Sequence, residues 1–123
     1  MGSQPIELTS LRNPRVKHVV KLRSRRYRDT HQQFLIEGTR PLGFALDSGY
    51  PLTELYVCPE LISQSPAAQT VMRRCDEIDT PLVNTVPSVF RKMAYRDNPE
   101  GLLALAPQRH LTLADLTFDS HAL

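Results

Sequence analysis

Between Arg12 and Arg28, in the stretch RNPRVKHVVKLRSRRYR, the chain carries eight Lys and Arg residues and no acid. A merely solvated helix face interleaves acids with bases, for i, i+4 pairing and for solubility. A run of this density repels itself unless an anion neutralises it, and a phosphate backbone is the natural candidate. A second group is EGTR, Glu37 to Arg40, where an apolar run meets a helix start. Free amides of a first helical turn, the Thr39 hydroxyl and the Arg40 guanidinium could grip a phosphate there; alternatively Gly38 only makes the turn and Thr39 only caps the helix. The third group is FRKMAYRDNPEG, which sets Arg91, Lys92, Tyr95 and Arg96 before a polar turn. Tyr and Arg can stack on unpaired bases while the turn reads their edges; the plainer account makes Phe90 and Met93 core, with Arg91 and Lys92 complementing a helix C-terminus.

Other chemistry is not signalled. The histidines (His18, His31, His110 and His121) lie in polar contexts and form no HxxxH or HExxH pattern, which predicts solvent-exposed rings. There is no GxSxG elbow, GxGxxG turn or GxxxxGK[ST] loop. Catalysis by this chain alone is not expected. Cys58 and Cys75 stand far apart in apolar contexts, without metal or redox spacing, and read as buried thiols of a reducing compartment. No apolar run reaches the roughly 18 residues a bilayer span needs, and the N-terminus lacks the pattern of a signal peptide, so the expected location is cytoplasmic, without a membrane partner. The net charge of +2 conceals strong segregation, since the residues after Arg28 hold seven bases against twelve acids.

The elements that must position these groups are readable in outline. Asn13 and Pro14 open a helix expected to run to about Tyr27, with Val16, Val19 and Val20 on one face and Lys17, Lys21, Arg25 and Arg28 on another. FLIE, Phe34 to Glu37, suits a buried strand. A helix with Leu42, Ala45 and Leu46 on one face follows and stops at Gly49. Further strands are expected at Glu54 to Cys58, in PLVNTV and in GLLALA, and further helices after Ser65–Pro66 and in PSVFRKMA. Strand and helix alternate, which predicts an α/β fold: a three-layer α/β/α sandwich around a mostly parallel sheet. The length of 123 residues suits one domain with tails: residues 1–10 as an N-terminal tail, 11–106 as the domain and 107–123 as a linker.

LTSLRNPRVKHVVKLRSRRYRDTHQQFLIEGTRPLGFAL together with VPSVFRKMAYRDNPEGLLALA resembles the N-terminal substrate-binding domain of the TrmH/SpoU family of RNA 2′-O-ribose methyltransferases. The resemblance covers about Leu8 to Pro107. It implies a fold like that of the ribosomal proteins that bind kink-turn RNA. In such proteins RNA is met after the first strand and before the last, here at Gly38, Thr39 and Arg40 and at the turn Arg96, Asp97, Asn98 and Pro99 leading to Gly101. It also implies a parent enzyme whose knotted catalytic domain binds S-adenosylmethionine and dimerises, with residues 107–123 leading toward that domain. This chain would then hold no cofactor of its own and be monomeric in isolation. One position departs from the family pattern: many members carry Gln where this chain has Glu100, close to Asp97.

The resulting expectation is RNA recognition, with ribosomal RNA as the substrate of the parent enzyme. Arg12, Arg15, Lys17, Lys21, Arg25 and Arg28 would hold the backbone, Arg40 and the amides near Gly38 and Thr39 a phosphate, and Tyr95, Arg96 and Asn98 the bases. The competing expectation is a protein-interaction domain that docks the catalytic domain or a ribosomal protein, its cations serving solubility or an acidic partner.

Overall fold

The structure, a computed structural model, describes residues 6–109. Its elements run β1 (Ile6–Leu8), α1 (Pro14–Lys21), α2 (Arg25–His31), β2 (Gln33–Glu37), α3 (Thr39–Asp47), β3 (Glu54–Val57), α4 (Pro59–Ile62), α5 (Pro66–Glu77), β4 (Leu82–Thr85), α6 (Pro87–Met93) and β5 (Leu102–Pro107). The sheet order is β1-β4-β3-β5-β2. β1 and β3 flank β4 in parallel, while β5 pairs antiparallel with both β3 and β2. Four strands therefore share one direction, as the alternating pattern predicts, and only β5 is reversed. After β4 the chain passes through α6 and the turn that follows it, and enters β5 from the end of the sheet where β4 finished.

Side chains alternate across the sheet. Tyr56, Leu103 and Leu105 face α1 and α6, with Val16, Val19, Leu22, Phe90 and Met93 in the same apolar cluster. Leu55, Val57, Leu102 and Ala104 face α3 and α5, against Leu42, Ala68, Val71 and Cys75. The two clusters make a three-layer sandwich, and the near-continuous apolar run of β5 is what a strand covered on both faces requires. Cys58 and Cys75 are free and buried, and burial pushes the Cys75 thiol up from its ordinary pKa. No helix among the described residues is long and apolar enough to cross a membrane.

Three features depart from the sequence reading. Ile6–Leu8, assigned to an N-terminal tail, is an edge strand paired with Val83–Thr85, and Leu8 is fully buried. The short helix α4 was not foreseen; Cys58 precedes Pro59 at its first position. Most consequential, the helix expected from Pro14 to Tyr27 is two helices. Asn13 caps α1 by accepting from the Arg15 amide at 2.8 Å, but α1 ends at Leu22. Ser24 then caps α2 through its Oγ, which accepts from the Tyr27 amide at 3.3 Å, and a serine that offers the backbone such a bond favours a helix start over a helix interior. Arg28 reaches back and donates to the carbonyls of Leu22 and Arg23 at 2.9 and 2.8 Å. The break removes Arg25 and Arg28 from the face carrying Lys17 and Lys21, and it divides an acid-free run that would repel itself along one helix.

Candidate nucleic-acid interface

The end of the sheet where β2, β3 and β4 finish gathers the groups singled out in the sequence. In open α/β sheets this carboxyl edge is the usual ligand side. Gly38 caps α3 with φ +99°, a backbone region that favours glycine. A Cβ at Gly38 would lie 2.7 Å from the Arg96 guanidinium. Arg96 rests on this bare backbone, donating to the Glu37 carbonyl at 3.3 Å and to Glu100 Oε1 at 3.0 Å. Glu100 Oε1 also accepts from the Thr39 amide at 2.9 Å, and Oε2 accepts from the Thr39 hydroxyl at 3.1 Å.

Thr39 is thus not the cap of α3; Gly38 holds the cap position, and the side chain that accepts from the first-turn amide is a carboxylate 61 residues away in sequence. The favourable meeting of an anion with a helix N-terminus is here satisfied internally. Hydrogen bonding to the Thr39 amide, then to its hydroxyl, and the Arg96 guanidinium lower the Glu100 pKa against the opposing effect of burial. Pro41 has no N–H, so the first turn of α3 offers little more to an anion than the Arg40 amide. The arrangement expected to hold a phosphate at Gly38 and Thr39 is occupied by Glu100, while the Arg40 side chain is exposed.

Glu37 is buried at the same junction, and its Oε1 accepts from the Tyr95 amide at 2.8 Å. Its Oε2 has no partner among the described residues. Tyr95 is 49% exposed and links the junction to α1: its hydroxyl donates to the Leu22 carbonyl at 3.3 Å, and the Arg23 guanidinium lies 5.4 Å from its ring centre. Arg23 also donates to the carbonyls of Lys92 and Ala94 at 2.6 and 2.9 Å, closing the end of α6. Asp97 and Asn98 are exposed on the turn that follows. The end of α1, the turn before β5 and the start of α3 therefore form one continuous rim.

The six cations expected to hold a phosphate backbone fare differently. Arg15 donates to Glu54 Oε2 at 2.7 Å, and Glu54 Oε1 accepts from the buried Tyr56 hydroxyl at 2.7 Å, so Arg15 ties α1 to β3. Burial first, and then Glu54, raise the Tyr56 pKa. Arg28 is spent on the α1–α2 joint, as described above. Arg25 stands 3.8 Å from Asp29, both widely exposed. Arg12, Lys17 and Lys21 are exposed and have no ion pair among the described residues. Sequence reasoning missed the structural parts played by Arg23, which shares helical phase with the valines, and by Glu100. It also took His18 for a solvated ring. His18 instead bonds the Tyr27 hydroxyl at 2.8 Å through Nδ1 and Gln33 Oε1 at 2.6 Å through Nε2, joining α1, α2 and β2.

A sequence profile described as MRM3-like substrate binding domain matches residues 13–104. The chain belongs to the MRM3-like substrate-binding domain family. The match contains both the α1 cations and the Gly38–Glu100 junction. Comparison with curated proteins finds no match. Among solved structures, this substrate-binding domain is similar to an RNA 2′-O ribose methyltransferase at 35% identity and a TM-score of 0.76, over 88% of this chain and 40% of that one. It is also similar to an AdoMet-bound rRNA methyltransferase from Sinorhizobium meliloti, at 27% identity and TM-score 0.71, over 92% and 40% of the respective chains. The SpoU methyltransferase AviRb from Streptomyces viridochromogenes shares the fold, at 23% identity and TM-score 0.66, over 83% of this chain and 36% of that one. The TrmH/SpoU resemblance carried by NPRVK, FLIEGTR and NPEGLLALA therefore stands. The chain spans about 40% of the length of the first of these relatives.

Proposed function

We propose that this domain recognises RNA, ribosomal RNA in particular, for a SAM-dependent RNA 2′-O-ribose methyltransferase. The observation that carries the reading is the exposed cationic strip of Arg12, Lys17 and Lys21, which has no ion-pair partner among the described residues and leads along α1 to the rim at Tyr95, Arg96 and Asn98. Unneutralised cations on one face are the footprint of phosphate binding. In this reading the strip holds the backbone with Arg25 alongside, Arg40 contacts a neighbouring phosphate, and Tyr95 and Asn98 meet bases. Arg15, Arg28, Gly38 and Thr39 act by building the surface, and Arg96 by shaping the rim.

S-adenosylmethionine belongs, in this proposal, to the part of the parent enzyme that the chain does not span. The cleft between α1 and α2 is rimmed by Lys21, Arg23 and Arg26, which would repel a sulfonium cation, so no step of methyl transfer is assigned to these residues. The parent would be a homodimer and this chain a monomer, which sedimentation velocity would test.

Fluorescence anisotropy against a structured rRNA fragment and a matched duplex DNA, across a salt series, tests the reading. With about four phosphates neutralised on duplex, log K should fall with a slope near −0.9 × 4, roughly a hundredfold loss between about 50 and 200 mM salt. Preference for folded RNA with this slope supports substrate recognition, and absence of binding at low salt overturns it. One observation favours a protein partner instead: Phe44 is 65% exposed on α3, one turn from Arg40.

A further inference from the structure

We infer that the cleft between α1 and α2 is a pocket for a single unpaired nucleotide of the RNA, the base entering the cleft while its flanking phosphates rest on the rim. The inference builds on the RNA-binding reading and goes beyond it, because neither the strip nor the α3 junction needs this cleft. Its volume is about 460 Å³, within the range of pockets that enclose small molecules. Val20 and Tyr27 supply its apolar floor, and the stems of Lys21, Arg23 and Arg26 form its walls. Lys21 and Arg26 can pack their methylenes against an apolar guest while their charged heads stay in water, and the Arg23 head is held by the Lys92 and Ala94 carbonyls.

Charge selects the occupant. Neither this cleft nor the smaller one of about 190 Å³ that shares Val20 and Lys21 with it has an acid among its lining residues, and the second adds Lys17 and Lys92 to the rim. An apolar body with anionic groups beside it fits this lining, and a nucleotide is such a guest. An unpaired base has such a body free, whereas a base in a duplex is already stacked.

The cleft is also held in shape. Tyr27 is pinned by the bond to His18 at 2.8 Å and by the His31 ring, whose centre lies 4.1 Å away, while the Lys21 ammonium sits 5.9 Å from the Tyr27 ring centre. The three hydroxyls in the lining already have partners: Tyr27 bonds His18, Ser24 accepts from the Tyr27 amide, and Thr30 donates to the Arg26 carbonyl at 2.9 Å. Few polar groups remain to read a base edge, so the cleft selects for an unpaired base and tolerates its identity.

The test uses the full chain and two RNA hairpins that differ only by one unpaired 2-aminopurine in the stem. The bulged hairpin should bind about tenfold tighter, a modest value for burial of one base. Its 2-aminopurine emission should respond to the protein, and replacing that nucleotide by A, C, G or U should move Kd by less than about threefold. Thr30→Trp, at an exposed position facing the cleft, should bring the ratio of the two affinities close to one. Val20 methyl and Tyr27 ring NMR signals of the unsubstituted chain, shifting only with the bulged hairpin, give an independent readout if that variant folds poorly. Equal affinity of the unsubstituted chain for both hairpins overturns the pocket and leaves the RNA-binding reading intact, whereas failure to bind either hairpin overturns both. Retention of the bulge preference by folded Thr30→Trp also overturns the pocket. So would NMR shifts at Val20 and Tyr27 with an acidic leucine-containing peptide but with neither RNA.

Discussion

The α1 strip and the α3 junction both carry cations that could meet a phosphate, yet they end in opposite electrostatic states. At the junction, Arg96 meets Glu100 and the Glu37 carbonyl, and the helix N-terminus meets the same Glu100 carboxylate. The site is closed on itself. On the strip, Arg12, Lys17 and Lys21 find no ion-pair partner among the described residues. A cation becomes available to a ligand only where folding brings no acid to it, and that depends on which distant segment arrives alongside.

The largest expected effect separates the two regions by binding. Combining Lys17→Glu with Lys21→Glu should weaken affinity for structured RNA about a hundredfold at about 50 mM salt and flatten the salt dependence, with thermal unfolding little changed because both residues are exposed. Arg15→Ala should do the reverse, lowering stability by about 1–3 kcal/mol through the loss of Glu54's partner at a half-buried site, while changing RNA affinity little. Equal behaviour of the two variants in anisotropy and urea titrations would erase the distinction.

Gly38→Ala tests the junction as architecture. At φ +99° a β-carbon is strained, and Arg96 would have to leave its place on the backbone. The expected cost is about 1–2 kcal/mol in urea unfolding, and a neutral outcome would remove Arg96 from any structural role.

Glu100→Gln has a smaller effect with a definite pH sign. The Glu100 pKa is lowered in the folded state, so its stabilisation is fully present above the unfolded-state pKa and is lost as pH falls through the folded one. The substitution should cost about 0.5–1 kcal/mol at neutral pH, discounted for the 34% exposure of the side chain, and the difference should shrink in acid. A pH-independent difference would contradict the ionised-cap account. Arg25→Ala should be the mildest change, within about 0.5 kcal/mol in stability, because its pair with Asp29 is long and solvated.

Much of the frame was legible from local chemistry. The caps at Asn13 and Ser65, the prolines that follow them, and the alternating apolar strands act within a few residues, and the expected helices and strands from Phe34 to Pro107 correspond to real elements. The joint at Leu22–Ser24 was harder. Valine periodicity argued for continuation, and the competing bonds from Ser24 and Arg28 become visible only when the break is in place. β1 escaped because three residues carry too little pattern, and their pairing partner lies 77 residues away. At the candidate site, EGTR and RDNPEG were recognisable as special, but their relation was not. The pairing of β2 with β5 brings them together, and that contact converts an apparent phosphate cradle into one filled by Glu100.

The sequence by itself determined the alternation of elements, the segregation of charge toward the N-terminal third and the family, because these rest on residue type, short-range spacing and motif. Tertiary structure alone decided the reversed direction of β5, the split of the basic helix, the cleft between its halves, and which cations are spent and which are free. Each of these depends on contacts between segments far apart in the chain, where the balance of pairing, burial and repulsion is settled only once both partners are in place.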